Sequence, residues 1–335
     1  MKWVRNILFP FVPIYYLVTL VRNWLYDKGF KSSKSYDFPL ICVGNLSVGG
    51  TGKSPMIEYL IRLLKDNYKL ATLSRGYKRN TKGFVLANEN VTANTLGDEP
   101  FQFYKKFKNA IHVAVGSNRQ EGIQQLKEQV NPHVILLDDA FQHRKVNAGL
   151  NILLTVHDKL YVDDWMLPTG DLREPVSGAK RANLIVVTKC PNNLAEGKKS
   201  AIAKKLNIRS NQHLFFSLID YSGSVYGENR EEDLSFFKGK ELTVVTGIAN
   251  PQLFIDFLRE QELNFEHLNF PDHHNFMNKE IKILEKTNYI LTTEKDYVRL
   301  KQFDSLKEKL FYLPIEFKID KPKEFEEIIR NFVKS

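Results

Sequence analysis

The segment between residues 39 and 65 constrains the fold of this chain more strongly than any other. The apolar run "PLICVG" leads into a loop with four glycines between residues 44 and 52, and "KSPMIEYLIRLL" then continues with apolar residues at helical spacing. A strand, a glycine-rich loop and a helix N-terminus in this order are typical of a phosphate-binding loop. The loop fits the pattern G-x-x-x-x-G-K-[ST] except at its first position, where Ser47 stands in place of the glycine.

The chemistry of this loop indicates a nucleoside triphosphate as ligand. We expect the glycines at 49, 50 and 52 to turn backbone N–H groups inward at positions where a Cβ would clash. We expect Lys53 to reach the β- and γ-phosphates and the Ser54 hydroxyl to bind Mg²⁺. The predicted nucleotide-binding residues of the loop are Ser47, Val48, Gly49, Gly50, Thr51, Gly52, Lys53 and Ser54. The alternative is a glycine-rich turn that binds nothing.

The wider pattern of apolar runs predicts the fold class. Six runs that resemble buried strands begin at residues 39, 69, 111, 133, 150 and 183, and helical patterns at 55–65 and 117–130 separate some of them. Continuous apolar strands that alternate with helices indicate a mostly parallel sheet with helices on both faces. We therefore predict an α/β fold of the P-loop NTPase type.

A polar, glycine-containing stretch at 221–240 indicates a boundary. Strand-like runs at 242 and 289 and helical patterns near 250–261 and 322–333 follow it, so we predict a smaller C-terminal α/β lobe. The expected organisation is an N-terminal helix in residues 1–35, a P-loop core in 36–220 and the smaller lobe in 221–335.

Charge and cysteine content limit the class of protein. The net charge of +9 favours an acidic partner such as nucleic acid, anionic lipid or a phosphorylated substrate, with an ordinary solvated surface as the alternative. We find no basic–aromatic stacking motif, and we therefore expect no nucleic-acid partner. Cys42 and Cys190 lie in separate apolar runs, which gives neither a disulfide framework nor a zinc motif and fits a reducing compartment.

The first 35 residues have the composition of a membrane-surface element. Residues 6 to 21 carry no charge, but these sixteen residues fall short of the roughly 20 that a spanning helix needs, and two prolines interrupt them. Aromatic residues mix here with basic ones, as in an interfacial anchor on anionic lipid. The residues concerned are Trp3, Tyr15, Tyr16 and Trp24 with Arg5, Arg22, Lys28, Lys31 and Lys34. The alternative is an apolar helix packed on the protein body.

Acidic residues follow the predicted strands. "VILLDD" ends in Asp138 and Asp139, and a carboxylate at a strand end is what a P-loop site needs near Mg²⁺. Because neighbouring side chains of a strand face opposite ways, only one of the two would point at the metal unless the strand has ended. Asp98 precedes a helix, where an N-cap is the simpler reading. Asp98 and His273 would form a general-base pair if the fold brings them together.

Several motifs together resemble one family. "GNLSVGGTGKSP", "LSRGYKR", "GDEP", "DDAFQH", "LPTGDLREP", "VVTKCP", "FPDHHNF" and "TTEKDYVRL" occur in this order between residues 44 and 300, and the chain is similar to the tetraacyldisaccharide 4'-kinases of lipid A synthesis. The resemblance implies ATP-dependent phosphorylation of the 4'-hydroxyl of a tetraacylated glucosamine disaccharide 1-phosphate. It also implies a peripheral enzyme on the cytoplasmic face of the bacterial inner membrane, and no protein partner is expected.

The resemblance also implies roles for single residues. Asp98 matches the catalytic base and His273 its partner, while Asp138, Asp139 and Gln142 lie in an acidic motif near Mg²⁺ and the phosphates. Four further residues match motifs that contact substrate or phosphate: Arg75, Glu99, Arg119 and Arg173. For each of the three arginines, a solvated side chain or a structural ion pair is the alternative. The motif from Thr292 to Lys295 has no role that the sequence explains.

A membrane-associated GTPase or ATPase switch is the alternative function. "VVTKCP" superficially resembles a guanine-reading loop, but Pro191 occupies the position two residues after Lys189 where an acid is expected. The sequence therefore favours the kinase.

Overall fold

The computed structural model of the chain describes residue 5, residues 7–272 and residues 274–335, without the side chain of Ile219. The chain divides into two compact units, Met1–Ile219 with Phe317–Ser335 and Asp220–Glu316.

The first sheet has nine strands, numbered here along the whole chain. They are β1 (Leu40–Asn45), β2 (Leu70–Ser74), β3 (Val85–Leu86), β4 (His112–Val115), β5 (Val134–Asp138), β6 (Leu150–Val156), β7 (Leu184–Thr188), β8 (His213–Tyr221) and β15 (Ile315–Ile319). Their order is β15-β8-β7-β6-β1-β5-β2-β4-β3. Neighbours from β8 to β4 run parallel, and β3 is antiparallel to β4. The mostly parallel sheet predicted from the sequence is thus confirmed.

Helices cover this sheet. They are α1 (Val12–Asp27), α2 (Lys53–Leu64), α3 (Ala93–Leu96), α4 (Asp98–Phe107), α5 (Arg119–Gln129), α6 (Glu196–Leu206) and α10 (Pro322–Lys334), and short 3-10 turns lie at Phe9–Phe11, Lys108–Ala110, Tyr161–Asp163 and Val176–Arg181. Both sheet faces are buried, since Leu40 and Cys42 of β1 join one apolar cluster while Ile41 and Val43 join the other. This two-sided burial explains why the strands lack apolar–polar alternation.

The C-terminal helix differs from the sequence-based domain assignment. The sequence placed residues up to 335 in the smaller lobe, but Phe317–Ser335 belong to the first unit. The physical reason is the apolar stripe Phe325, Ile329 and Val333 on α10, which packs into the cluster formed by one face of the first sheet.

The second unit has its own sheet. Its strands are β9 (Ser224–Tyr226), β10 (Glu231–Asp233), β11 (Leu242–Thr246), β12 (Phe265–Asn269), β13 (Tyr289–Thr293) and β14 (Leu310–Leu313), in the order β10-β9-β14-β13-β11-β12. Its helices are α7 (Gln252–Glu260), α8 (Asn278–Leu284) and α9 (Glu294–Leu300), with 3-10 turns at Leu234–Phe237 and Asp304–Leu306. Strands β12, β11, β13 and β14 run parallel, and β9 and β10 add an antiparallel edge.

The strand register of the first unit brings polar strand ends together. Val43 of β1 is level with Asp138 of β5, Ser74 follows the pair Leu73–Leu137, and Thr188 ends β7 beside Val156. Because these strands are parallel, their carboxyl ends lie at the same edge of the sheet. This is the edge at which α/β proteins bind ligands.

Candidate active site

The glycine-rich loop connects β1 to α2 as the sequence predicted. Gly52 is the N-cap residue of α2 and has a φ of 90°, and Gly49 has a φ of 110°. Residues with a side chain rarely adopt these left-handed conformations. The N-terminus of a twelve-residue helix therefore opens directly onto the loop, and its partial positive charge favours an anion there.

The reason for the glycines differs from the predicted one. A Cβ built on Gly49 or Gly50 would meet no described protein atom within 4 Å, and at Gly52 the nearest contact is an ordinary 3.7 Å to Thr188. The predicted clash between a Cβ at these positions and the rest of the described protein is therefore wrong. The positive φ angles explain Gly49 and Gly52, and nothing in the structure explains Gly50.

Hydrogen bonds hold the loop from both sides. The Val48 N–H donates to the Asp171 carbonyl (2.7 Å), and the Arg173 N–H donates to the Leu46 carbonyl (2.8 Å). The Asn45 side-chain amide donates to Thr51 Oγ1, and the Thr188 hydroxyl donates to the Thr51 carbonyl, both at 2.8 Å. The loop is thus held by the ends of β1 and β7 and by the segment 171–173.

The two carboxylates after β5 have different environments. Asp138 is buried, and its Oδ2 accepts from the Ser74 hydroxyl at 3.2 Å. Oδ1 of Asp138 is buried as well and has no hydrogen-bond partner among the described residues. Asp139 follows the strand end in a left-handed conformation with a φ of 48°. The rule that neighbouring side chains point to opposite faces no longer applies at Asp139, because the strand has ended.

Two cations face Asp139. Arg173 donates to both of its oxygens, at 2.8 and 3.2 Å, in the two-pronged geometry that guanidinium and carboxylate groups favour. Lys53 Nζ lies 3.8 Å from Asp139 Oδ1. The lysine of the loop and the acidic motif therefore lie together at the sheet edge.

The pKa values of the two acids shift in opposite directions. Burial, together with the charges of Glu99 and Asp139, raises the pKa of Asp138 to about 7, although Lys53 and Arg119 act against the shift. Burial also acts to raise the pKa of Asp139, but Lys53 and Arg173 outweigh it and hold that pKa below its usual range. The two neighbouring carboxyl groups therefore have opposite pKa shifts because Arg173 and Lys53 are closer to Asp139 than any described cation is to Asp138 Oδ1.

The arginines predicted near phosphate differ in position. Arg119 begins α5, is buried, and donates to the carbonyls of Gly116 and Asp138. Burial lowers its pKa, and the nearby Asp138 and Asp139 charges oppose this. Arg75 is exposed just beyond the end of β2. Arg173 and Arg119 thus contribute charge to the acidic pair, and Arg75 lies on the surface.

Gln142 supports the end of β1. Its side-chain amide donates to the Asn45 carbonyl at 2.8 Å and to Glu174 Oε1 at 2.9 Å. The described residues supply no hydrogen-bond partner for its buried Oε1. Gln142 was predicted to bind ATP or phosphate, and in the structure its amide nitrogen is already engaged by the protein.

Asp98 begins α4 at the same edge of the sheet. The N-cap position is Gly97, with a φ of 91°, so Asp98 is the first helical residue and the N-cap alternative is wrong. A Cβ on Gly97 would lie 2.9 Å from the Tyr77 carbonyl, which shows how closely the helix start packs on the loop after β2. The neighbouring Glu99 is near enough to raise the pKa of Asp138. His273, the predicted partner of Asp98, lies outside the described residues.

Comparison with known proteins identifies the family. The family model for LpxK, described as tetraacyldisaccharide-1-P 4'-kinase, matches residues 4–334. The chain belongs to this family. Its P-loop fold and its class as a kinase, both expected from the motifs, are thereby confirmed.

Individual relatives agree along the whole length. The tetraacyldisaccharide 4'-kinase of Flavobacterium johnsoniae is 55% identical over 320 residues, which cover 94% of this chain and 93% of that protein. The enzyme of the same name from Flavobacterium psychrophilum is 49% identical over 342 residues, covering 100% and 98%. A crystal structure of LpxK from Aquifex aeolicus in complex with ATP has a TM-score of 0.80 at 30% identity, with 98% of this chain and 99% of that chain covered.

The N-terminal helix α1 has two faces. Tyr15, Arg22 and Asn23 hydrogen-bond to the core of the first unit, while one whole flank of the segment is apolar and exposed. The exposed residues are Ile7, Leu8, Phe9, Phe11, Ile14, Tyr16, Leu17, Val18, Leu20, Val21 and Trp24. The packed helix, posed as the alternative to a membrane anchor, thus describes the inner side of this element, and the anchor stays a prediction for its exposed side. Trp3 lies outside the described residues. Within the described part of the chain, no helix has the length and hydropathy to cross a bilayer.

The structure explains the "TTEKDYVRL" motif of the kinase, whose role was open. The Thr292 hydroxyl donates to the Val245 carbonyl at 2.7 Å and ties β13 to β11. Asp296 is fully buried, where it accepts from the Gly247 N–H and the Thr293 hydroxyl, both at 2.8 Å. Lys295 pairs with Asp272 at 3.2 Å. The motif therefore fixes the core of the second unit and holds the residue that precedes His273.

The second histidine of "FPDHHNF" has structural contacts. His274 Nε2 lies 3.0 Å from Glu280 Oε2, and the ring stacks on Phe270 with centroids 4.8 Å apart. Glu280 also accepts from the Met277 N–H at 2.7 Å. His274 therefore anchors this turn to α8.

Several residues at the site were not singled out from the sequence. Asn45, Ser74 and Thr188 each end a strand at the carboxyl edge, so their positions after apolar runs were the available signal. Glu174 lies within the quoted motif "LPTGDLREP" but had no assigned role. Its part in the site depends on long-range contacts that no local pattern reveals.

Proposed function

We propose that this kinase transfers the γ-phosphoryl group of ATP to the 4'-hydroxyl of a tetraacylated glucosamine disaccharide 1-phosphate. The observation that carries the proposal is the position of Lys53, which starts the helix after the glycine loop and whose Nζ lies 3.8 Å from Asp139 Oδ1. In a P-loop enzyme this lysine neutralises the β- and γ-phosphates. The likeness to an LpxK crystallised with ATP supports ATP as the donor.

The loop and its basic neighbours bind and orient the phosphates in this proposal. The glycine loop and the α2 N-terminus would surround the triphosphate, and Lys53 would contact the transferred group. The N–H groups of Val48 and Thr51 would take no part, because they are bonded to protein carbonyls. Arg173 fixes Asp139 beside Lys53 and so sets the position of both charges. Because phosphoryl transfer depends mainly on positioning and charge neutralisation, these residues supply most of the catalysis.

The acidic pair and Ser54 fit a magnesium site. The buried Asp138 Oδ1, which lacks a hydrogen-bond partner within the described chain, needs a cation or donor to offset its burial. Both oxygens of Asp139 are already engaged by Arg173, so we assign the closer metal contact to Asp138 and a supporting role to Asp139. Among the described residues no three His, Cys, Asp or Glu side chains form a metal cluster. Mg²⁺ typically uses one or two carboxylates together with substrate phosphates, and when bound it neutralises phosphate charge.

Asp98 is the proposed general base, with His273 as its partner. The carboxylate of Asp98 accepts the proton of the 4'-hydroxyl while the 4'-oxygen bonds to the γ-phosphorus and the bond from that phosphorus to the bridging oxygen breaks, releasing ADP. The start of α4 beside the acidic pair supports this assignment for Asp98. The family motif alone supports the assignment for His273.

The exposed apolar flank of the N-terminal segment supports a membrane-surface location. Eleven large apolar or aromatic residues there are in contact with solvent, and such a flank beside basic residues binds anionic bilayers. We propose that the enzyme works as a peripheral protein on the cytoplasmic face of the inner membrane, where an acylated acceptor would lie within reach.

Transfer of radiolabelled phosphate from γ-labelled ATP to a purified lipid A disaccharide precursor tests the proposal. We expect a labelled 4'-phosphate product with the intact protein and a loss of roughly 10²–10³-fold with Lys53→Ala. Lys53→Arg serves as the charge-conserving control. Hydrolysis of GTP in preference to ATP, without transfer to the lipid, would contradict the kinase assignment and favour a switch.

A further inference from the structure

The N-terminal helix α1 is bonded to the residues that shape the nucleotide site. The Asn23 side-chain amide donates to Glu174 Oε2 at 2.9 Å, and the Tyr15 hydroxyl donates to the Arg173 carbonyl at 3.0 Å. The Arg22 guanidinium donates to the Gln142 carbonyl at 2.9 Å. All three partners on the protein body lie in the acidic motif or in the segment that backs the glycine loop.

Glu174 is the centre of this arrangement. It is 3% exposed, and both of its oxygens are occupied. Oε1 accepts from Gln142 and Arg181, at 2.9 and 2.8 Å, and Oε2 accepts from Asn23 and Arg181, both at 2.9 Å. A buried carboxylate with this many donors has one defined position, and the loss of one donor leaves part of its charge uncompensated.

The contacts continue from Glu174 to the phosphate-binding loop. The same amide nitrogen of Gln142 that donates to Glu174 also donates to the Asn45 carbonyl at 2.8 Å, and Arg173 donates to that carbonyl at 3.1 Å. Asn45 is the last residue of β1, and its side chain bonds to Thr51 inside the loop. Arg173 in turn holds Asp139 beside Lys53.

We propose that Asn23 and Tyr15 are positioning residues for the nucleotide site. By fixing Glu174 and Arg173 they hold the end of β1, the glycine loop and Asp139 in the arrangement that binds magnesium-complexed nucleoside triphosphate. The helix that faces the membrane is therefore also part of the nucleotide site, and its displacement weakens nucleotide binding. This inference rests on the proposed function of the loop.

The inference differs from what the sequence alone predicts. The loop begins only after residue 43, so removal of residues 1–25 would be expected to leave nucleotide binding intact. The contacts of Tyr15, Arg22 and Asn23 predict instead that this truncation weakens it. Connected contacts alone do not measure coupling, so the test is energetic.

The experiment compares two faces of one helix in the full-length protein. Asn23→Ala and Tyr15→Phe each remove one inward hydrogen bond, and Leu17→Ala, whose side chain is exposed, is the matched control. The readouts are the Kd for MgATP, the KM for ATP, kcat at saturating ATP, the melting temperature, and sedimentation with vesicles of phosphatidylglycerol and phosphatidylethanolamine. Alanine is a better helix former than asparagine, so a weaker variant cannot be explained by a lost helix.

We expect Asn23→Ala and Tyr15→Phe to raise the Kd and KM for MgATP roughly fivefold or more, with a smaller fall in kcat and with vesicle binding nearly unchanged. Leu17→Ala should weaken vesicle binding and leave the Kd for MgATP as it is. In a double-mutant cycle, Asn23→Ala combined with Glu174→Gln should change the Kd by less than the sum of the single effects.

Two results would overturn the inference. One is a Kd for MgATP that stays within twofold of the wild type in both inward variants while the melting temperature falls, since the contacts would then serve stability alone. The other is an equal loss in Leu17→Ala. If Asn23→Ala does not fold, Tyr15→Phe decides, because it removes a single oxygen atom. A wild-type protein that binds no MgATP would overturn the proposed function, and this inference with it.

Discussion

Asp138 and Asp139 are adjacent in sequence, yet only Asp139 is paired with Arg173, which donates to both of its oxygens. Oδ1 of Asp138 is buried, and no described residue hydrogen-bonds to it. The difference arises because β5 ends at Asp138 and Asp139 turns into a left-handed conformation. Asp139 is therefore paired with a cation of the protein, whereas Asp138 Oδ1 can bind a metal ion.

This difference predicts distinct phenotypes for Asp138→Asn and Asp139→Asn. Asp138→Asn should raise the Mg²⁺ concentration for half-maximal activity at least roughly tenfold, and added Mg²⁺ should partly restore the rate. Its melting temperature should be unchanged or higher, because the amide removes a buried charge.

Asp139→Asn should lower the melting temperature, because Arg173 and Lys53 lose their counter-ion, and extra Mg²⁺ should restore less activity. Titration of Mg²⁺ in the transfer assay measures both. If neither variant responds to Mg²⁺, the acidic pair is structural.

The proposed base predicts a selective loss of chemistry. Asp98→Asn should lower kcat by about 10²–10⁴-fold and leave the Kd for MgATP close to that of the wild type, because Asp98 acts on the acceptor hydroxyl. His273→Ala should reduce kcat less, and the double variant should lose less than the product of the two single effects if the residues act as a unit. Steady-state kinetics with a nucleotide-binding assay separates these quantities.

The chain supplies a matched control for the histidine. His274 pairs with Glu280 and stacks on Phe270, so His274→Ala should lower the melting temperature with a smaller effect on kcat for the folded fraction. If His273→Ala instead lowers stability and His274→Ala removes activity, the roles of the two histidines are reversed.

His143 predicts a pH dependence of stability. Burial lowers its pKa from 6.5 to about 4, and the nearby cations Arg119, Lys145, Arg22 and Arg75 add to this. Between these two pH values the unfolded chain binds a proton that the folded chain does not, so the unfolding free energy falls as the pH drops from 6.5 towards 4. Urea unfolding of the wild type and His143→Asn across this range measures the effect. The unfolding free energy of the wild type minus that of the variant should fall as the pH drops from 6.5 towards 4 and be constant above about 7. A difference that does not vary with pH would contradict the assignment.

Local sequence patterns were sufficient to predict the glycine loop and the strand that ends in Asp138. The glycine loop, Lys53 and the acidic pair could be placed from the sequence because parallel strands bring their carboxyl ends to one edge. The conformation of Asp139 could not be placed, because the partners that hold it come from segment 173 and from α2. Contacts between segments distant in sequence therefore determine which of the two carboxylates can bind a metal ion.

Long-range packing also explains the elements that the sequence left in the wrong place or unassigned. The apolar stripe of α10 predicted a helix at 322–333, but its periodicity does not indicate whether the stripe packs against the core of the first or of the second unit. Glu174 lay inside a quoted motif, and its four hydrogen bonds come from residues 23, 142 and 181. Such contacts are set by the folded chain as a whole and leave no periodic signal.

The exposed flank of the N-terminal helix predicts that the enzyme binds the membrane surface that holds its proposed acylated acceptor. Ile14, Leu17 and Val18 are 62%, 59% and 61% exposed on the flank that faces away from the protein body. Replacing all three with serine should weaken binding to anionic vesicles more than tenfold, because each buried aliphatic side chain contributes about 1.5–3 kcal/mol. The KM for the lipid acceptor should rise, while kcat and the Kd for MgATP should stay close to the wild type. Vesicle sedimentation and steady-state kinetics measure these effects.

Salt would separate the two terms of the proposed membrane contact. Raising the ionic strength screens the attraction between the basic residues and anionic lipid but leaves the apolar term in place, so the wild type should lose only part of its vesicle binding. The triple serine variant retains the charges and has lost most of the apolar term, so salt should release it almost completely. If high salt releases the wild type completely as well, the contact is electrostatic alone. The exposed flank would then need another explanation, such as contact with the acyl chains of the acceptor itself, and the acceptor KM of the triple variant would report it.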